Sequence, residues 1–85
     1  MRTVLVTGAN RGIGLEFAKQ YASDEDQVIA ICRNDDYTDE LKIISKKNNI
    51  RIKLADMSDF KSIDILQNEL SGIPIDIIIN NAGVF

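Results

Sequence analysis

Gly8, Gly12 and Gly14 stand between a continuous apolar run, Thr3-Val4-Leu5-Val6, and a helical pattern that begins at about Gly12. Strand, glycine-rich turn and helix in that order leave few architectures open. An apolar run without alternation suits burial on both faces of a parallel sheet. Glycines at the junction let backbone N–H groups approach a phosphate closely. The new helix turns its positive dipole end toward the same spot.

The same alternation continues along the chain. The first helix is expected from about Gly12 to Ala22, with Ile13, Phe17, Ala18 and Tyr21 on one face. Gln27–Cys32 reads as a second strand. Thr38 can cap the next helix, with Asp39 and Glu40 in its first turn and Lys46 and Lys47 in its last, and Asn48-Asn49 as its stop. Ile50–Leu54 alternates in part, which suits a sheet edge. Ser58 is then placed to cap a helix over Asp59–Leu70, whose inward stripe is Phe60, Ile63, Leu66 or Gln67, and Leu70. Gly72 and Pro74 punctuate a turn, and Ile75–Ile79, apolar except for Asp76, is the fourth strand.

The pattern is βαβαβαβ, for which an α/β domain with a parallel sheet is the natural solution. Right-handed crossovers then favour the sheet order 3-2-1-4, with the first two helices on one face and the third alone on the other. The reversal between the first and fourth strands opens a crevice at their carboxyl ends. Gly8 and Asn80-Asn81-Ala82-Gly83 would flank it.

Composition narrows the function. A chain of 85 residues is one small domain with a modest core. Hydrophobic residues at 45% and charged residues at 27% fit an ordinary globular sequence rather than a disordered one. A net charge of -3 without a basic stripe argues against a nucleic-acid partner. The apolar run after Met1-Arg2 is too short for a signal-peptide core, and no stretch approaches the ~18 residues of a membrane span. A cytoplasmic address with no membrane partner is the expectation. Cys32 is the only cysteine and sits in an apolar strand, where a buried, inert thiol is expected. The absence of histidine rules out a Ser-His-Asp triad or a His-ligated zinc within these residues.

The glycine spacing is G-x-x-x-G-x-G, not the commoner G-x-G-x-x-G. Thr7-Gly8-Ala9-Asn10-Arg11-Gly12-Ile13-Gly14, Asp56 after the third strand and Asn80-Asn81-Ala82-Gly83 after the fourth occur in sequence, each at the carboxyl end of its strand. This constellation resembles the short-chain dehydrogenase/reductase family. The resemblance covers essentially all 85 residues, but only the first half of a usual member. It implies a Rossmann-like sheet truncated after the fourth strand, with residues 1–85 as an amino-terminal nucleotide-binding half and no second domain. It also implies a cofactor site. Gly8, Gly12 and Gly14 form the pyrophosphate turn, which contains Asn10 and Arg11, with the Ile13 backbone N–H among the donors. Asp56 accepts a hydrogen bond from the adenine amino group, and Met57 meets the ring through its backbone. Asn80, Ala82 and Gly83 shape the floor beneath the adenosine ribose.

Cofactor choice turns on the end of the second strand, where an acid binds ribose hydroxyls and an arginine suits a 2′-phosphate. Arg33 stands near that position, and Arg11 is a second cation in the glycine turn, so NADP is expected. The competing reading has Arg33 as a solvated loop charge and Asp35 or Asp36 on the ribose, which selects NAD. Family members transfer hydride between nicotinamide and a carbonyl or alcohol with a serine and a Tyr-x-x-x-Lys pair. Here Tyr21 is followed four places on by Glu25, and Tyr37 by Leu41. No catalytic residue is therefore assigned, and the chain alone is expected to be inactive. Two other readings remain open: a stand-alone dinucleotide-binding or sensing module, and an interaction protein that pairs through an exposed fourth strand. In the latter the chain would self-associate or take up a complementing carboxyl-terminal fragment.

Overall fold

The computed structural model describes residues 2–10, 12–23, 26–33, 39–46, 49–56 and 58–81. Strand β1 (Thr3–Thr7) and strand β2 (Gln27–Cys32) are flanked on both sides and buried almost throughout, which is why neither alternates in sequence. Among the described residues, strand β3 (Ile50–Leu54) pairs only with β2, and strand β4 (Ile77–Ile79) pairs only with β1. All pairings are parallel, and the order is β3-β2-β1-β4, as the crossover argument requires.

The pleat sends alternate residues of each strand into different cores. Val4, Val6, Val28, Ala30 and Cys32 pack with Leu15, Ala18 and Ala22 of helix α1 (Gly12–Ser23) and with Leu41 of helix α2 (Asp39–Ser45). Leu5, Ile29 and Ile31 pack on the opposite face with Leu66 of helix α3 (Phe60–Glu69), joined by Leu70, Ile73 and Ile75. The first two helices thus share one face and the third takes the other. Cys32 is fully buried in the first of these cores.

Several local expectations need correction. Ile13 does not face the core and is 67% exposed; the buried positions of α1 are Gly14, Leu15, Ala18 and Ala22, with Phe17 and Tyr21 half-buried. Gly14 abuts the end of β1, and that contact fixes the rotation of the helix and turns Ile13 outward. The cap of α3 is Asp59, whose side chain accepts from the Lys61 N–H at 3.1 Å, not Ser58. Phe60 becomes the first helical residue and is 84% exposed, leaving Leu66 as the buried contact. Helix α2 stops at Ser45, whose hydroxyl donates to the Lys42 carbonyl. Thr38, Lys47 and Asn48 lie outside the described residues.

The fourth strand is shorter than its apolar run. Asp76 Oδ2 accepts from the Thr3 N–H at 2.8 Å, while the Asp76 N–H donates to the Thr3 carbonyl at 2.9 Å. A side chain thus replaces the first rung of the β1–β4 ladder, and Ile75 turns beneath α3 instead.

Candidate functional site

The crevice lies where β1 gives way to α1. Gly8 and Gly12 have φ of 62° and 59°, in the left-handed region that favours glycine. Gly14 is held by proximity instead. A Cβ there would stand 2.0 Å from the Gly8 carbonyl oxygen and 2.7 Å from Asn81 Nδ2. Only a residue without a side chain lets the first turn of α1 settle on the end of β1. Around Gly12 no described residue outside its own chain neighbours and helix backbone comes within 4 Å of a would-be Cβ. The Ala9 N–H donates to the Ile31 carbonyl at 3.2 Å, which pins the turn to β2. The first turn of α1 carries no acidic residue, so its dipole end is left positive.

The other wall is fastened by Thr7, which is 3% exposed. Its Oγ1 donates to Asn80 Oδ1 at 3.0 Å and accepts from the Asn81 N–H at 2.8 Å. One hydroxyl therefore ties the carboxyl end of β1 to that of β4. Asn80 spends its side-chain oxygen on this bond, so it builds the crevice from within. In the sequence Thr7 stands only as the first residue of the glycine motif. A hydroxyl residue at the last rung of a buried apolar strand was the available signal.

Across β2 and β3, the register Cys32↔Leu54 continues for one more rung through the Ala55 N–H to the Cys32 carbonyl, at 2.8 Å. That extension brings Arg33 beside Asp56, with Nε 3.7 Å from Oδ2. Arg33 is 77% exposed, and Asp56 is half-buried. Asp56 Oδ1 accepts from the Ser58 hydroxyl at 2.6 Å and the Ser58 N–H at 3.0 Å. These two bonds, with the Arg33 guanidinium nearby, hold the Asp56 carboxyl below the usual carboxylate range against an opposing effect of burial. The Asp56 N–H donates to Ser62 Oγ at 2.7 Å, anchoring the loop to α3. Ser58 and Ser62 are thus positioning residues for Asp56. Short hydroxyl residues just after a strand were the only hint of this in the sequence.

The structure brings together Gly8, Gly12, Gly14, Asn80 and Asn81 at the β1–β4 crevice and joins Arg33 to Asp56 at the ends of β2 and β3. Asn10 and Ile13 belong to the glycine turn and the first turn of α1. Arg11, Asp35, Asp36, Met57, Ala82 and Gly83 lie outside the described residues. A glycine-lined, acid-free helix N-terminus fits a diphosphate, and the carboxylate of Asp56 fits an amino donor. Among the described residues no helix is long and apolar enough to cross a membrane, and no group of three or more His, Cys, Asp or Glu side chains could hold a metal ion.

Comparisons with known proteins agree with this geometry. Residues 2–85 match the family profile for short chain dehydrogenase. The chain is similar to the short-chain dehydrogenase/reductase atnB of Arthrinium sp, at 35% identity over 96% of this chain and 32% of that protein. Among solved structures it resembles a bulky-bulky ketone specific alcohol dehydrogenase from Comamonas testosteroni, with a TM-score of 0.83 and 30% identity over 99% of this chain and 35% of that one. It also resembles a protein described as an NAD(P) dependent gluconate 5-dehydrogenase from Beutenbergia cavernae, solved with NADP bound at low occupancy, with a TM-score of 0.74 and 30% identity over 91% of this chain and 32% of that one. The chain spans about a third of the length of the curated relatives it matches. With its Rossmann-like sheet and glycine turn, it belongs to the short-chain dehydrogenase family.

Proposed function

We propose that residues 1–85 form the nucleotide-binding half of a short-chain oxidoreductase that moves hydride between a nicotinamide and a carbonyl or alcohol, and that its crevice takes NADP(H) in preference to NAD(H). The observation that carries this reading is the glycine turn, where Gly14 meets Gly8 and opens an acid-free helix N-terminus. The nicotinamide supplies the hydride chemistry. The chain's own residues bind and orient the other end of the cofactor. Backbone N–H groups of the turn meet the diphosphate, and Asp56 Oδ2, which holds no hydrogen bond among the described residues, accepts from the adenine amino group. Arg33, joined by Arg11 of the turn, meets a ribose 2′-phosphate through charge-assisted hydrogen bonds.

Calorimetry with NADP+ and NAD+ tests the cofactor reading. NADP+ is expected to bind more tightly, and Arg33→Ala to remove most of the difference, because a charge-assisted contact contributes about 1.5–3 kcal/mol. Equal affinity for both, before and after the change, returns the assignment to NAD. The 85 residues hold no Tyr-x-x-x-Lys, so the same sample is expected to show no hydride transfer. Turnover that survives purification and vanishes in Gly12→Val would contradict that expectation.

A further inference from the structure

Arg33 and Asp56 were expected to recognise different parts of the cofactor, yet the structure joins them. The guanidinium Nε stands 3.7 Å from Asp56 Oδ2, while Oδ1 is committed to the two Ser58 bonds. The carboxylate is held in place from three directions: Ser58 on Oδ1, Ser62 on its backbone N–H, and the β2–β3 ladder behind it. Arg33 is the exposed partner, at 77%. A fixed anion beside an exposed cation changes what that cation offers to an incoming phosphate.

We propose that Asp56 competes with a ribose 2′-phosphate for the Arg33 guanidinium, and so restrains the chain's own preference for NADP(H) over NAD(H). The inference rests on the cofactor reading above. A 2′-phosphate that reaches Arg33 must either draw it away from Oδ2 or sit close to a carboxylate of the same sign. Both penalise the phosphorylated cofactor alone. NAD(H) carries no group that asks for Arg33, so its binding leaves the pair intact. The carboxylate that reads adenine thereby also limits how strongly the site reads the phosphate.

The test compares NADP+ and NAD+ binding to the full 85-residue chain, unmodified and as Asp56→Asn, Arg33→Ala and the double variant. Asparagine keeps one oxygen for the two Ser58 bonds and puts an uncharged amide nitrogen in place of Oδ2; the acceptor for the adenine amino group is lost to both cofactors alike, so the ratio reads the charge beside Arg33. The ratio of NADP+ to NAD+ affinity is expected to rise at least threefold in Asp56→Asn, and not to rise when Arg33 is already alanine. The ratio is insensitive to partial unfolding, because a smaller competent fraction weakens both apparent affinities equally. A merely structural role for Asp56 moves both affinities together and leaves the ratio alone. If Arg33→Ala lowers the ratio but Asp56→Asn does not raise it, the competition is overturned and the NADP reading stands. If the unmodified chain binds neither nucleotide, or its ratio ignores Arg33→Ala, both fall together.

Discussion

Gly14 and Gly12 are glycines for different physical reasons, and the two substitutions to alanine separate them. At Gly14 the new methyl meets a backbone carbonyl at 2.0 Å, which cannot rotate aside, so the helix must shift. Overpacking of that kind costs about 1–3 kcal/mol, and this contact belongs at the top of the range. At Gly12 no such contact arises among the described residues, and the cost is the left-handed backbone alone, about 1–2 kcal/mol. Urea melts are expected to rank Gly14→Ala as the more damaging; the reverse order would mean that close approach is not what fixes residue 14. Thr7→Val keeps the shape and deletes the hydroxyl, leaving Asn80 Oδ1 and the Asn81 N–H unpaired. A loss of about 1–3 kcal/mol is expected, restored in part by Thr7→Ser. The glycine spacing was legible in the sequence because backbone geometry leaves a residue-type signature. The Thr7 bridge was not, because partners just beyond β4 are invisible until the strands are aligned.

At the scale of the element, sheet order and helix sides followed from apolar runs and crossover handedness, and both are as expected. Helix rotation and helix ends were less legible. Ile13 and Phe60 fit an apolar stripe, yet both lie outside the core, because the Gly14 contact and the Asp59 cap set phase and starting point. Two adjacent residues, Ser58 and Asp59, were both chemically able to cap α3. Asp59 takes the cap by accepting from the Lys61 N–H, while Ser58 turns its hydroxyl to Asp56. Asp59→Ala is therefore expected to cost about 1 kcal/mol of helix stability. Ser58→Ala should spare the helix but let the Asp56 carboxyl rise toward its ordinary value, since the Ser58 hydroxyl is the largest cause of its depression. An NMR titration of the Asp56 carboxyl reads this directly; an unchanged titration would assign the depression elsewhere.

For the whole molecule, acid is the condition to which two of these carboxylates respond. Asp26 is held low chiefly by its hydrogen bond from the Arg2 side chain, with burial opposing, and Asp56 is held low by Ser58. A depressed native value means that the unfolded chain takes up the proton first. The stabilising contribution of each is therefore complete above the ordinary carboxylate range, near 4, and is lost as pH falls through the lower native value. Urea midpoints are expected to fall in that acid window, with a shallower decline in Asp26→Asn. A second whole-molecule property is association. No described strand pairs with the outer side of β4, and Ile78, in register with Leu5, is 67% exposed. An apolar edge invites pairing with another chain, and a net charge of -3 opposes it weakly. Sedimentation of the 85-residue chain is expected to show concentration-dependent association that Ile78→Lys reduces. A monodisperse unmodified chain would refute it.

The Thr7 bridge also has a meaning in time. Its partners are 73 and 74 positions away, and Thr3 is bound to Asp76 at a separation of 73. Contacts of such long sequence separation form late, because a large loop must close before they return anything. The glycine turn and the first two strands can assemble early, but the crevice gains its second wall only when β4 docks. Capacity to bind a nucleotide is then a property of the last folding step. In a stopped-flow refolding experiment it should emerge with the slowest phase, after helix has already formed.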